Sequence, residues 1–412
     1  MQRREYRPST VVKLRTLDSW YVRGPASSTS PPFVLSHREA VPSSGELPIS
    51  IGPVDVQPAF EEWVSLARQV VRKSLDLGWD DAFEIYSYIP TIPLAEALAL
   101  EARRVGSDTH ITLMTDDLWF TSMRELTTKW LSQASPVEYA IHEAITADVY
   151  LGGPADARRM RDIPPEKFDA NAMGNMRQDQ PLRKRRVRHV DLPIGRVTPE
   201  RADAYGLDYG RWHGSYHAAL AVDLRAIQRA GAARVRALSG RKKLHLVSDM
   251  GTDLRFETKP ISPAVDDGII SPSDTRRGFV ETALPAGRVE GAMRPESVEG
   301  EVQSTDPMFF AGRTIEGISF RVKAGRIVDW AAEKHEDLLD RALAASKRRK
   351  ARLGWFTIGL NAAAEPCMLD NSIVKNDVGL GVGPHPQLER RTVDPSVSFF
   401  ATIGPVQIEI GR

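Results

Sequence analysis

Apolar residues recur at helical spacing from residue 60, where Phe60, Trp63, Val64, Ala67, Val70, Val71 and Leu75 share one face. An apolar strand pattern spans Ala82 to Ile89, a helical one Leu94 to Val105, and a second strand pattern His110 to Met114. Helical patterns around Met123 to Leu131 and Val137 to Thr146 lead into Asp148-Val149-Tyr150-Leu151-Gly152. Strand alternating with helix at this spacing predicts an α/β fold with a doubly wound parallel sheet. The stretch from Arg158 to Arg188 has no clear period. One long helix is expected from about Tyr209 to Leu238, and beyond Leu244 short strands and glycine turns, with one exposed helix from Glu333 to Lys350. No repeat at solenoid or propeller spacing is visible.

The first 55 or so residues differ in kind. Pro25, Ser27, Ser28, Ser30, Pro31 and Pro32, then Ser43, Ser44 and Gly45, are turn and linker signals. The same segment holds Leu17, Trp20, Tyr21, Phe33 and Val34, so it is expected to lie on the body as an arm. This divides the chain into an arm (1–55), an α/β domain (56–195) and a C-terminal α+β domain (196–412).

Composition narrows the function classes. The 412 residues are 42% hydrophobic and 26% charged with a net charge of +1, which gives no global case for nucleic acid or an anionic membrane. The start Met1-Gln2-Arg3-Arg4-Glu5-Tyr6 opens no apolar run of signal or membrane-span length. The single cysteine, Cys367, excludes an internal disulfide framework and suits a reducing compartment, so a cytoplasmic protein is expected.

His213 and His217 stand four residues apart on the expected helix and share a face. They are the first candidates for general acid or base work. As a metal pair they lack a third ligand, and Gly214 stands where a zinc protease carries Glu. The basic run from Arg183 to His189 lacks the aromatic interleaving of a nucleic-acid site and reads as a salt-bridged loop. The Lys347-Arg348-Arg349-Lys350 run ends a helix, where cations complement the dipole. Gly251-Thr252-Asp253 reads as a tight turn before a strand, and Gly379, Gly381 and Gly383 read as turn residues.

A series of short segments then carries a family likeness. These are Gly251-Thr252-Asp253-Leu254-Arg255-Phe256, Leu284-Pro285-Ala286-Gly287-Arg288-Val289, Val298-Glu299-Gly300, Gly325-Arg326-Ile327-Val328, Arg352-Leu353-Gly354-Trp355, Leu380-Gly381 and Ile403-Gly404. In order and spacing the chain resembles the thermophilic metallo-aminopeptidases of the aminopeptidase T type. The resemblance implies that family's α+β fold for the C-terminal domain, a homodimer, and one cavity around which Arg288, Trp355, Asn371 and Asp377 stand at positions of metal ligands. The family's Glu is replaced by Arg288 and Trp355, another Glu by Asn371, and a His by Asp377. The closing His-x-Asp falls on Ser398 and Phe400, or in another register on Gln407 and Glu409. Only Asp377 keeps a carboxylate.

Zinc needs several His or carboxylate ligands converging at about 2.0–2.2 Å. The expectation is therefore no metal and no cofactor. Arg288, Trp355 and Asn371 would bind substrate, and Asp377 with His213 or His217 would move the proton. The rival role for Arg288 is a structural ion pair with Asp377. The first functional reading is a metal-independent enzyme acting on a small amino-acid-derived or peptide-like molecule, by cyclisation, elimination or amide hydrolysis, in a biosynthetic setting. The second is a non-catalytic binding protein or a subunit of a hetero-complex. The third is an aminopeptidase with relocated metal ligands, or a relative of the iron-dependent dihydroxypyridine dioxygenases.

Overall fold

The computed structural model describes residues 62–348, 352–366, 371–389 and 399–411. The N-terminal arm, Cys367, Ser398 and the last two residues of the Lys347–Lys350 run lie outside them. Ala82–Tyr88 (β1), Asp108–Met114 (β2), Ala147–Tyr150 (β3) and Arg188–Asp191 (β4) form a parallel sheet in the order β2-β1-β3-β4. Glu281–Ala283 (β8) joins its β4 edge, also in parallel, from far along the chain.

The helix Ile92–Arg104 shows why these elements form. Pro93 suits its first turn, and Leu94, Ala95, Ala97, Leu98, Ala99 and Ala102 are buried. Each fully buried leucine contributes about 1.5–3 kcal/mol. Glu101 is buried with them and is matched by Arg72 at 2.5 Å and Arg104 at 3.2 Å.

Two expectations need correction. The stretch after Arg158 is helical over Pro165–Gln178 and Gln180–Arg185. Gly174 is the only residue of the first helix that is fully buried, so apolar periodicity had little to report there. The expected long helix is two, Tyr209–Leu220 and Leu224–Leu238. Asp223 caps the second by accepting the Arg225 N–H at 3.1 Å, which ends one helix and starts the next.

Two antiparallel sheets follow. One has the order β14-β13-β10-β6-β5-β18, built from Lys243–Val247 (β5), Asp253–Glu257 (β6), Glu299–Gln303 (β10), Ser319–Lys323 (β13), Arg326–Ala331 (β14) and Gln407–Gly411 (β18). The turn between β5 and β6 holds Gly251 at φ +108°, where glycine is needed. The other has the order β17-β16-β15-β9-β7, from Ala264–Asp266 (β7), Arg288–Ala292 (β9), Leu353–Gly359 (β15), Asp377–Val382 (β16) and Phe400–Pro405 (β17). Met308–Phe310 (β11) and Arg313–Ile315 (β12) make a separate hairpin.

The two sheets share one core, to which Leu244, Leu254 and Phe256 contribute from one side and Val289, Phe356, Ile358, Val378 and Leu380 from the other. The rings of Phe256 and Phe356 stand 5.3 Å apart. Side chains alternate along a strand, so the same packing turns Arg288, Glu290, Trp355, Thr357 and Asp377 to the opposite face. Among the described residues no helix is long and apolar enough to cross a membrane.

Candidate functional site

Arg288 opens β9 and is mostly buried within a ring of acceptors. Its Nε donates to Glu290 Oε1 at 2.9 Å, Nη1 donates to Ser372 Oγ at 3.1 Å, and Nη2 stands 3.2 Å from Asp266 Oδ2. Asp266 also accepts from Thr282 Oγ1 and, at 3.2 Å, from the Ala283 N–H. The second oxygen of Glu290 lies 3.0 Å from His385 Nε2. His385 Nδ1 accepts the Leu388 N–H at 3.1 Å, so Nε2 carries the hydrogen and donates the bond to Glu290 Oε2. Burial alone would raise the Glu290 carboxyl, but the charge of Arg288 and the His385 hydrogen bond take it down to about 2. Burial lifts Asp266, which shares the same guanidinium with an ionised neighbour.

Asp377 belongs to a different group. It opens β16, is 1% exposed, and pairs with the carboxyl of Asp306 rather than with Arg288. Two hydrogen-bonded carboxyls require a shared proton. Burial and then the Asp306 charge push Asp377 up to about 8, and burial raises Asp306 as well. Asn371 Nδ2 donates to Asp306 Oδ2 at 3.0 Å.

Asn371 Oδ1, Asp377 Oδ2 and Thr357 Oγ1 are buried without a hydrogen-bond partner among the described residues. An unmet buried polar atom costs about 1–3 kcal/mol. The proton shared with Asp306 answers for Asp377; Asn371 and Thr357 retain free capacity that a ligand or water would fill.

Trp355, Gly381 and Phe400 lie in one row across β15, β16 and β17. The two rings stack across the glycine with centroids 4.9 Å apart and planes 5° from parallel, and His385 meets Trp355 edge-on at 5.1 Å. Gly379 and Gly381 are thus strand residues, contrary to the expected turns. A Cβ on Gly381 would come within 1.9 Å of the Trp355 ring, and one on Gly379 within 2.4 Å of Phe400. Gly381→Ala should therefore destabilise the fold by about 1–3 kcal/mol, measured by urea unfolding. A variant with unchanged stability and tryptophan emission would mean that the stack is not held against the strand.

The expected site residues are only partly gathered. Asp377 and Asn371 meet through Asp306; Arg288 stands with Asp266, Glu290 and Ser372; Trp355 adds the aromatic wall. His213 and His217 are not brought to Asp377. Their rings lie 4.2 Å apart on the helix Tyr209–Leu220, beside Tyr209 and Trp63, while the neighbouring Trp212, Ser215 and Tyr216 face inward. Burial and the adjacent His213 lower the His217 pKa. Of the two closing registers, Phe400 stands in the site row, whereas Glu409 lies on β18 and meets His245 at 3.0 Å. Asp266, Glu290, Asp306, His385 and Thr357 were missed. Of these, Glu290 and Thr357 had a local signal, standing two residues from Arg288 and from Trp355 on their strands and so on the same faces.

Part of the basic run is engaged internally. Arg185 Nη1 donates to the Ile145 carbonyl at 2.9 Å, Arg188 binds Asp81, and His189 Nδ1 meets Asp148 Oδ2 at 2.7 Å.

Residues 222–364 match the family model described as thermophilic metalloprotease (M29). Wild-type AmpT from Thermus thermophilus has a similar structure, with a TM-score of 0.68 at 20% identity over 85% of this chain and 94% of that one. The fold is therefore that of AmpT. The 2,5-dihydroxypyridine dioxygenase from Pseudomonas putida KT2440 aligns with a TM-score of 0.47 at 12% identity, over 85% of this chain and 90% of that one. No curated protein sequence matches the chain.

Proposed function

We propose that the chain is an enzyme that uses the aminopeptidase-like fold without a metal among the strand residues around Arg288 and Asp377, acting on a small amino-acid-derived or peptide-like substrate by acid/base chemistry. The observation that carries this reading is the Asp306–Asp377 carboxyl pair, in which burial pushes Asp377 up to about 8. A carboxyl that keeps its proton near neutral pH can protonate a leaving amine or a developing oxyanion, and its conjugate base can take the proton back. Asn371 Oδ1 and Thr357 Oγ1 offer unmet hydrogen-bonding capacity to the substrate, and the Trp355–Phe400 stack offers it an apolar face.

The family's description implies a metal, and we read the residues around Arg288 as unsuited to one. The carboxylates of Asp266 and Glu290 are engaged by Arg288, whose guanidinium stands where a dication would have to approach. At about 4 Å and an effective dielectric of about 20, that repulsion is roughly 8 kcal/mol. Arg288 serves in this reading as a fixed positive charge that holds Asp266 and Glu290 in place. Its three nitrogens already have partners, which argues against a free clamp for a substrate anion.

The test is a panel of dipeptide amides and N-acyl amino acids, incubated with protein dialysed against EDTA and followed by mass spectrometry. Product should form at the same rate with and without the chelator. Turnover that appears only when zinc, manganese or iron is restored would remove the metal-independent reading.

A further inference from the structure

We propose that Glu84, Glu138 and His142 form a binding site for a divalent transition-metal ion of the zinc or manganese class, on one face of the parallel sheet and separate from the Arg288 cluster. Glu84 lies in the middle of β1, and the helix Pro136–Ala144 presents Glu138 and His142 four residues apart on one side. Their ligand atoms all lie within 4.8 Å of one another, the one such group of three or more His, Cys or carboxylate side chains among the described residues. With both ligands about 2.1 Å from an ion, the 3.6 Å between His142 Nε2 and Glu84 Oε2 corresponds to an angle of about 120° at the metal.

The protons are arranged for coordination. His142 Nδ1 lies 3.1 Å from the Gln178 carbonyl, which can only accept, and 3.5 Å from Asp179 Oδ1, so Nδ1 carries a hydrogen and Nε2 is the nitrogen that offers a lone pair to an ion. That nitrogen makes no hydrogen bond among the described residues, although the side chain is 8% exposed; 3.6 Å to Glu84 is too long for one. A histidine tied through one nitrogen to a backbone carbonyl, with the other bare and aimed at carboxylates, is the usual arrangement of a metal ligand. Glu84 is fixed in the same manner, because Thr112 Oγ1 donates to its Oε1 at 2.6 Å.

A second observation points to the same place. Glu138 Oε2 is buried with no hydrogen-bond partner among the described residues, and so is Oδ1 of Asp148, next to Glu84 in the sheet register. One imidazole and two carboxylates suit zinc or manganese better than a thiolate-seeking or all-oxygen ion. The site departs from the expectation of a metal-free chain and shares no residue with the groups around Arg288 and Asp377.

The test uses full-length protein freed of metal by dialysis against a chelator, titrated with zinc chloride and with manganese chloride in a calorimeter. One equivalent of at least one of the two ions should bind. Glu138→Gln, a same-sized change at a half-exposed helix position with folding checked by circular dichroism, should weaken binding by more than about 100-fold. Asp377→Asn should leave the stoichiometry unchanged. A zinc- or manganese-soaked crystal should show anomalous density about 2.0–2.2 Å from all three side chains. Absence of uptake of either ion, equal binding by Glu138→Gln, or density elsewhere overturns the site. Loss of binding in Asp377→Asn instead of Glu138→Gln would place the ion beside Asp377 and overturn the metal-independent reading too.

Discussion

Asp377→Asn should lower turnover by about 10²–10⁴-fold, the usual contribution of a positioned general acid or base, while the protein stays folded. The amide keeps the size and can still donate to Asp306, but it holds no transferable proton. Stability should move the other way at high pH. The folded Asp377 titrates at about 8, and the unfolded side chain near about 3.9. Between those values the folded chain holds a proton that the unfolded chain releases. The group's contribution is therefore complete below pH about 4 and is lost as pH rises through about 8. Asparagine does not titrate, so the variant's stability should fall less over that window and equal or exceed the parent's at the top of it. Urea unfolding at a series of pH values and initial rates on the substrate identified from the panel measure both effects. A variant that keeps full rate would take Asp377 out of the chemistry.

Arg288→Ala should destabilise the fold by about 3–5 kcal/mol, because it leaves buried carboxylates uncompensated. Asp266 and Glu290 have side-chain exposures of 6% and 9%, so water cannot take over the role of the guanidinium. Arg288→Lys keeps the charge but loses the fork that reaches Glu290, Ser372 and Asp266 together, and should lie between the two. Chemical unfolding of the three proteins at neutral pH gives the ranking. Wild-type stability with loss of substrate binding would assign Arg288 to the ligand instead of the wall.

The fold was legible where one face of an element is apolar. The buried runs of β1 and the helix over Ile92–Arg104 announced the parallel sheet. Pro165–Gln178 was hidden because its starting signals, Pro165 and Glu166, are not followed by a buried stripe. The helix break at Asp223 was visible in principle as a capping residue, but an apolar period running through both helices masked it. In the site, the family likeness placed Arg288, Trp355, Asn371 and Asp377 around one region. It could not supply their partners, since Asp306 comes from the loop before β11 and His385 from just before the helix Pro386–Glu389. The aromatic row over Gly381 needed the register of three strands, and no spacing within one strand encodes that.

The chain leaves the parallel sheet at Ala283 and enters the antiparallel β17-β16-β15-β9-β7 sheet at Arg288, with only Leu284 to Gly287 between them. Gene fragments cut near residue 195 would part β4 from the strand that covers its edge, and would expose there a row of unpaired amides and carbonyls of the kind that seeds aggregation. The two halves are thus poor candidates for separate expression or for swapping with the corresponding halves of relatives.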